Sequence, residues 1–177
     1  MDLLSFDIGT INLAYCQILV SDGVCPKVWK IASLKEKKEV IDFDETMKRL
    51  LEFLKTTWPP GQCPTHVIIE NQPCLKNPSM KSIQIAIYTY FALMHVHVSL
   101  ISASNKLKVK KNTTPVNKKT SYAEKKKLAI TLARMYITET KNEEMRLFFE
   151  RSKKQDDLSD AYLQALFYIE NLAVKEV

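Results

Sequence analysis

Four acidic residues offer chemistry by their type and position: Asp7, Glu70, Asp157 and Asp160. Asp7 closes the apolar run Leu3 to Phe6, and Glu70 closes the run His66 to Ile69. Each carboxylate therefore stands at the end of a strand, where open α/β sheets bind ligands. Asp157 and Asp160 are three residues apart, which turns both toward one face of the first turn of a helix. Singly, each has an ordinary explanation as a turn acid, an exposed strand end or a helix N-terminal charge. Together, four carboxylates at a sheet mouth repel one another unless cations neutralise them, and an oxygen-only donor set favours Mg²⁺, with Mn²⁺ as substitute. A pair of such ions is the usual machinery for in-line displacement at a phosphodiester.

The charge distribution points to the same substrate chemistry. The 177 residues carry 26 Lys and Arg against 20 Asp and Glu, a net +6. Nine lysines and a single acid, Glu124, lie between Lys106 and Lys127, so the excess is local and the rest of the chain is slightly negative. Lys106, Lys108, Lys110, Lys111, Lys118, Lys119, Lys125 and Lys126 are the candidate contacts to a phosphate backbone. A solvated loop is the alternative reading of the same charges.

Positioning these groups requires a particular set of elements. Leu3–Phe6, Leu13–Val20 and Val24–Ile31 read as three consecutive strands, with Gly9 in the first turn. Met47, Leu50, Leu51, Leu54 and Trp58 recur at helical spacing, predicting a helix over Asp44–Trp58 that Pro59-Pro60-Gly61 ends. His66–Ile69 is a fourth strand, which Pro73 forces the chain to leave. Ser79–His95 is a helix apolar on more than one side, one side suiting a subunit interface. Val96–Ser102 reads as the last strand. A lysine-rich, helix-poor insert at 103–120 follows, then helices over Tyr122–Thr138 and Asp156–Val174 joined by a charged connector. This order predicts an α/β fold with a five-stranded mixed sheet flanked by helices, in one domain spanning 1–177. Strands one and four pair in parallel through a right-handed crossover, which sets Asp7 beside Glu70.

The remaining features are bland. Cys16, Cys25, Cys63 and Cys74 have no metal-site spacing. His95 and His97 lack a third nitrogen or sulfur ligand nearby and read as ordinary core or surface residues. Trp29 and Trp58 read as packing residues, and Tyr122 is a candidate base-stacking residue beside the lysines. With no secretory signal, no apolar stretch long enough for a membrane span and free thiols, an intracellular location is expected.

Four segments in order complete the reading: Phe6-Asp7-Ile8-Gly9-Thr10-Ile11-Asn12-Leu13-Ala14-Tyr15-Cys16, Ile69-Glu70-Asn71-Gln72-Pro73, Lys126-Lys127 opening a helix, and Asp157-Leu158-Ser159-Asp160-Ala161. Over nearly the whole chain they resemble the motifs of RuvC-type Holliday junction resolvases, in particular the branch of poxviruses and other large DNA viruses, with fungal mitochondrial resolvases as cousins. The resemblance implies a ribonuclease H-like fold, a homodimer through the helix at 79–95, and Mg²⁺-dependent paired symmetrical nicking of four-way DNA junctions. Asp7, Glu70, Asp157 and Asp160 would hold two ions, with Asp156 an alternative to Asp157. The basic catalytic residue falls on Lys127, or else on Lys126. Lys127 is preferred because Ile130 then takes the apolar helix position. Asn71, Gln72 and Lys76 would reach the junction crossover. A viral source would place the protein in infected-cell cytoplasm or the virion.

Two other functions share parts of this pattern. Asp7-Ile8-Gly9-Thr10 also resembles the first phosphate-binding motif of the sugar kinase and actin-like ATPases. That machinery needs two lobes and a second glycine-rich loop, whereas the three glycines here are Gly9, Gly23 and Gly61. A non-catalytic nucleic-acid-binding module would use the lysines alone, and gains nothing from four acids near phosphates.

Overall fold

Alternation of buried side chains decides how the sheet is assembled. The computed structural model describes residues 1–75, 77–114 and 120–172, without the side chains of Asp22 and Leu172. Strand β1 (Asp2–Asp7) buries Leu3 on one face and Leu4 and Phe6 on the other. A strand apolar on both faces is stable only in the middle of a covered sheet. It pairs antiparallel with β2 (Leu13–Leu19), which pairs antiparallel with β3 (Pro26–Ala32). On its other side β1 pairs parallel with β4 (His66–Glu70), and β4 pairs parallel with β5 (His97–Ile101). The order β3-β2-β1-β4-β5 is the expected five-stranded mixed sheet. Gly9 sits in the β1–β2 turn where a Cβ would meet the Asn12 carbonyl oxygen at 2.3 Å, so any side chain there collides with backbone.

Helices cover both faces. α1 (Phe43–Thr57) and α2 (Pro78–Leu93) pack on one, around Phe6, Tyr15, Trp58 and Phe91. α3 (Tyr122–Glu139), α4 (Glu143–Arg151) and α5 (Gln155–Leu172) pack on the other. Local chemistry starts each helix where the side chains direct. Asp42 caps α1, Asn77 with Pro78 opens α2, and Ser121 and Glu124 form a reciprocal capping box on α3.

Two expectations differ from the structure. The charged connector before the last helix is itself the helix α4, capped by Asn142 and carrying Glu143 and Glu144 in its first turn and Arg151 in its last. Its charges suit the helix dipole, and a single fully buried residue, Phe149, docks it. The lysine-rich insert is not a free loop at its start. A 3₁₀ turn, Ala103–Leu107, follows β5, and Leu107 and Val109 are buried in the core. The backbone N–H groups of Lys110 and Lys111 donate to Glu170 (2.7 Å) and to the Tyr136 hydroxyl (3.3 Å).

α5 is the element that the rest of the fold holds in place. Trp29 stacks on Phe149 with ring centres 4.8 Å apart and donates its indole N–H to the Leu158 carbonyl at 2.9 Å. The Tyr162 hydroxyl donates to the Val24 carbonyl, also at 2.9 Å. These bonds tie the first turns of α5 to β3 and the turn before it, more than a hundred residues away in sequence.

Candidate active site

The side-chain parity of the strands places the first two acids. Leu3 and Ile68 face the α3–α5 layer, and steps of two residues bring Asp7 and Glu70 to the same face. The parallel register sets Phe6 opposite Ile69, so Asp7 and Glu70 are neighbours one residue further on. α5 crosses this face and supplies Asp157 and Asp160. All four acids line one cavity of about 550 Å³, together with Gln72, Lys106, Tyr122, Lys125 and Lys126.

Electrostatics inside the cavity are under-compensated. Lys106 reaches in from the turn after β5, contacts Asp160 directly and lies 3.4 Å from Glu70. Glu70 also accepts hydrogen bonds from Gln72 and Gln164, each at 3.3 Å. Burial, followed by the charge of Asp160, pushes the Asp7 carboxyl well above the usual carboxylate range, although Lys106 pulls the other way. Asp160 is also raised, by burial against the opposing pull of Lys106. Burial and the adjacent Asp156 charge raise Asp157, whose Oδ2 is buried without a hydrogen-bond partner.

These are the signs of a site that would accept a hard cation: oxygen donors, a buried acceptor without a hydrogen bond, and carboxyls that resist ionisation beside like charges. Among the described residues, no three His, Cys, Asp or Glu side chains are arranged to hold an ion as they stand. The Lys106 ammonium is interposed between Glu70 and Asp160 instead.

The other sequence-identified residues fall in different places. Lys125 and Lys126 line the cavity, whereas Lys127 is exposed and does not. Helix phase explains this difference from the Ile130 argument: Lys126 shares a face with the buried Ala129 and Ala133, while Lys127 shares one with the exposed Thr131 and Thr138. Asp156 turns away to Lys126 at 2.5 Å. Burial alone would raise the Asp156 carboxyl, but the Lys126 hydrogen bond and charge hold it below the usual range. Lys126 also lies 5.0 Å over the Tyr122 ring.

Gln72 lines the cavity and its N–H donates to the buried Gln84 side chain at 2.7 Å, while Asn71 is exposed and bonded to Lys81. Lys108 and Lys110 are exposed, and Lys111 is paired with Glu139 and set 4.6 Å over Tyr136. Lys76, Lys118 and Lys119 lie outside the described residues. His97 lies beside His66 at the opposite end of the sheet from the acids, their rings tilted with centres 5.2 Å apart.

Two roles were not read from the sequence. Lys106 belongs inside the carboxylate cluster rather than to an outer stripe of cations. Gln164 is fully buried and braces Glu70. It recurs four residues after Asp160 and seven after Asp157, a polar position within an apolar helix, and that spacing was a usable signal.

The model of the family described as Poxvirus A22 protein matches residues 1–173. An uncharacterized protein of Acanthamoeba polyphaga mimivirus is 40% identical over 119 aligned residues, 59% of this chain; the chain spans only 28% of that relative. The Fowlpox virus resolvase, solved in complex with Holliday junction DNA, superposes with a TM-score of 0.69 at 20% identity, over 97% of this chain and 99% of that one. The yeast mitochondrial Holliday junction resolvase gives 0.62 at 15% identity, over 99% and 86%. Thermus thermophilus RuvC, in complex with a Holliday junction substrate, gives 0.63 at 13% identity, over 96% and 95%. At these identities the likeness establishes the fold, which is ribonuclease H-like.

Proposed function

Because this chain belongs to the Poxvirus A22 protein family, we propose that it is a Mg²⁺-dependent endonuclease that resolves four-way DNA junctions by paired, symmetrical nicks. The observation that carries the reading is the meeting of Asp7, Glu70, Asp157 and Asp160 at one cavity, with Asp157 Oδ2 buried and without a hydrogen bond. The likeness of its fold to two Holliday junction resolvases agrees with it. These four carboxylates would hold two Mg²⁺ ions, with Mn²⁺ as a working substitute. Bound there, the ions would supply a nucleophilic water and stabilise charge at the phosphate.

The chain's own side chains have separable tasks. Lys126, at the cavity lip and braced by Asp156 and Tyr122, positions the scissile phosphate and offsets its developing charge. Lys127, exposed on the outer face, contacts the backbone of an arm. Gln72 and Asn71 lie on the loop after Glu70 and approach the crossover, and Lys76, outside the described residues, is assigned the same task from its place in the sequence. Lys108, Lys110, Lys111, Lys118, Lys119 and Lys125 extend the footprint along the arms.

Paired nicks need two sites related by a two-fold axis. We assign that interface to α2, whose outer face leaves Ile85, Tyr88 and Leu93 exposed to 53%, 40% and 72%, with Leu100 on the edge strand β5 at 43%. The viral family suggests work in infected-cell cytoplasm or in the virion. Among the described residues, no helix is long and apolar enough to cross a membrane.

The test is a synthetic four-way junction beside linear duplex of the same arm sequences, with Mg²⁺ or with EDTA. Paired nicks in opposing strands of the junction, only with metal, are expected. Binding without nicking would overturn the nuclease reading in favour of a basic binding module.

A further inference from the structure

Lys106 has a task of its own in the cavity. Its stem is anchored on both sides, by the 3₁₀ turn that Ser102 caps and by Leu107, which is buried. The side chain is only 18% exposed, as little as the carboxylates it meets. Asp160 contacts its ammonium and Glu70 lies 3.4 Å away, so two carboxylates flank one cation. The oxygens it occupies are Glu70 Oε2 and Asp160 Oδ2, and Glu70 Oε2 also accepts from Gln164. Glu70 Oε1 in turn accepts from Gln72, so a divalent ion that draws on Glu70 Oε2 and Asp160 Oδ2 competes with Lys106 for them.

Resting on the reading that these carboxylates take a divalent cation, we infer that Lys106 is a built-in counter-cation, which holds Glu70 and Asp160 together in the metal-free protein and which the metal must displace. One ammonium against four carboxylates is enough to keep the strand ends and α5 in place. It is too little to satisfy them: Asp157 Oδ2 is buried without a hydrogen bond, and its nearest cation among the described residues, Lys154, stands 4.0 Å away. Exchange of one positive charge for two or more on metal entry removes that deficit. Lys106 thus acts through Glu70 and Asp160 as a positioning residue, and it sets the threshold concentration at which the site loads.

The inference has a signature that a merely structural lysine lacks, because its two effects have opposite signs. Lys106→Met should lower the melting temperature of the metal-free chain, since it leaves buried carboxylates without a cation. The same substitution should tighten Mn²⁺ binding about tenfold or more, since a resident competitor has gone. Lys106→Arg, which keeps the charge, should bind Mn²⁺ close to the wild-type affinity.

The experiment is Mn²⁺ titration of the full chain, following free Mn²⁺ by electron paramagnetic resonance, alongside thermal melts in EDTA. If Lys106→Met does not fold without metal, Lys106→Gln, neutral but still able to donate to Asp160, takes its place with the same expected tightening. Unchanged or weaker Mn²⁺ binding by the neutral variant would overturn the exchange. Failure of the wild type to bind Mn²⁺ any better than Asp160→Asn would instead sink the carboxylate metal site itself.

Discussion

Asp7→Asn should make the metal-free protein more stable while abolishing cleavage. Asp7 is held on the central strand beside Glu70 and Asp160, and burial with those charges pushes its carboxyl well above the usual range. A carboxyl raised in the folded state contributes stability below the unfolded value of about 3.9, and that contribution is lost as pH rises through the folded value. Above that point the native protein carries an ionised, poorly compensated buried group. Asparagine keeps the shape, can donate to Glu70 and never ionises.

The relief should be on the order of 1–3 kcal/mol, the usual cost of a buried group left unsatisfied. For a chain of this size that corresponds to a rise in Tm of roughly 2–12 °C. Calorimetric melts in EDTA should show almost no difference from wild type near pH 4 and a gap that widens toward pH 8. Added Mg²⁺ should raise the wild-type Tm and leave the variant nearly unmoved, and junction nicking by the variant should be lost with binding retained. A variant that melts below wild type by the same margin at every pH would refute the reasoning. It would mean that the native carboxylate is already satisfied and has no need of a cation.

Other outcomes follow from the same geometry. Lys126→Ala should slow junction cleavage about a hundredfold, as for loss of one group that stabilises transition-state charge, whereas Lys127→Ala should cost less than about fivefold, as for an exposed charge; single-turnover rates measured in the reverse order would return the catalytic role to Lys127. Ile85→Asp with Leu93→Asp should convert a dimer to a monomer by light scattering and turn paired nicks into single ones, and a double variant that remains dimeric would move the interface off α2. Trp29→Phe removes the donor to the Leu158 carbonyl and part of the ring stacked on Phe149. It should cost about 2 kcal/mol, or roughly 4–8 °C in Tm, and an unchanged melt would show that α5 does not depend on this anchor.

How much was legible in the sequence depends on how locally each feature is encoded. Strand ends at Asp7 and Glu70 and the helices expected over Asp44–Trp58 and Tyr122–Thr138 follow from apolar periodicity and turn residues within a few positions, and the parallel pairing of β1 with β4 from the handedness of the crossover between them. α4 was missed because its nine residues carry charge at both ends and one deeply buried side chain, Phe149, so its periodicity is faint. Lys127 and Lys126 are a near tie by sequence spacing. Their separation into outward and cavity faces depends on the phase of α3, which Ala129, Leu132, Ala133, Tyr136 and Ile137 set only when packed together.

By itself, then, the sequence determined which four acids could act, that they close strands and open a helix, and that the positive charge is local. Those properties belong to residues and their near neighbours. Only the tertiary structure decided which cation stands among the acids. Lys106 is one of nine lysines in a basic stretch, and nothing near it in sequence marks it out. It enters the cluster because Leu107 and Val109 bury its turn against α5, which Trp29 and Tyr162 hold across the sheet. Contacts between residues 70, 106 and 160 are set by the packing of the whole core, and a charge is partnered or left short by what that packing brings within a few ångströms.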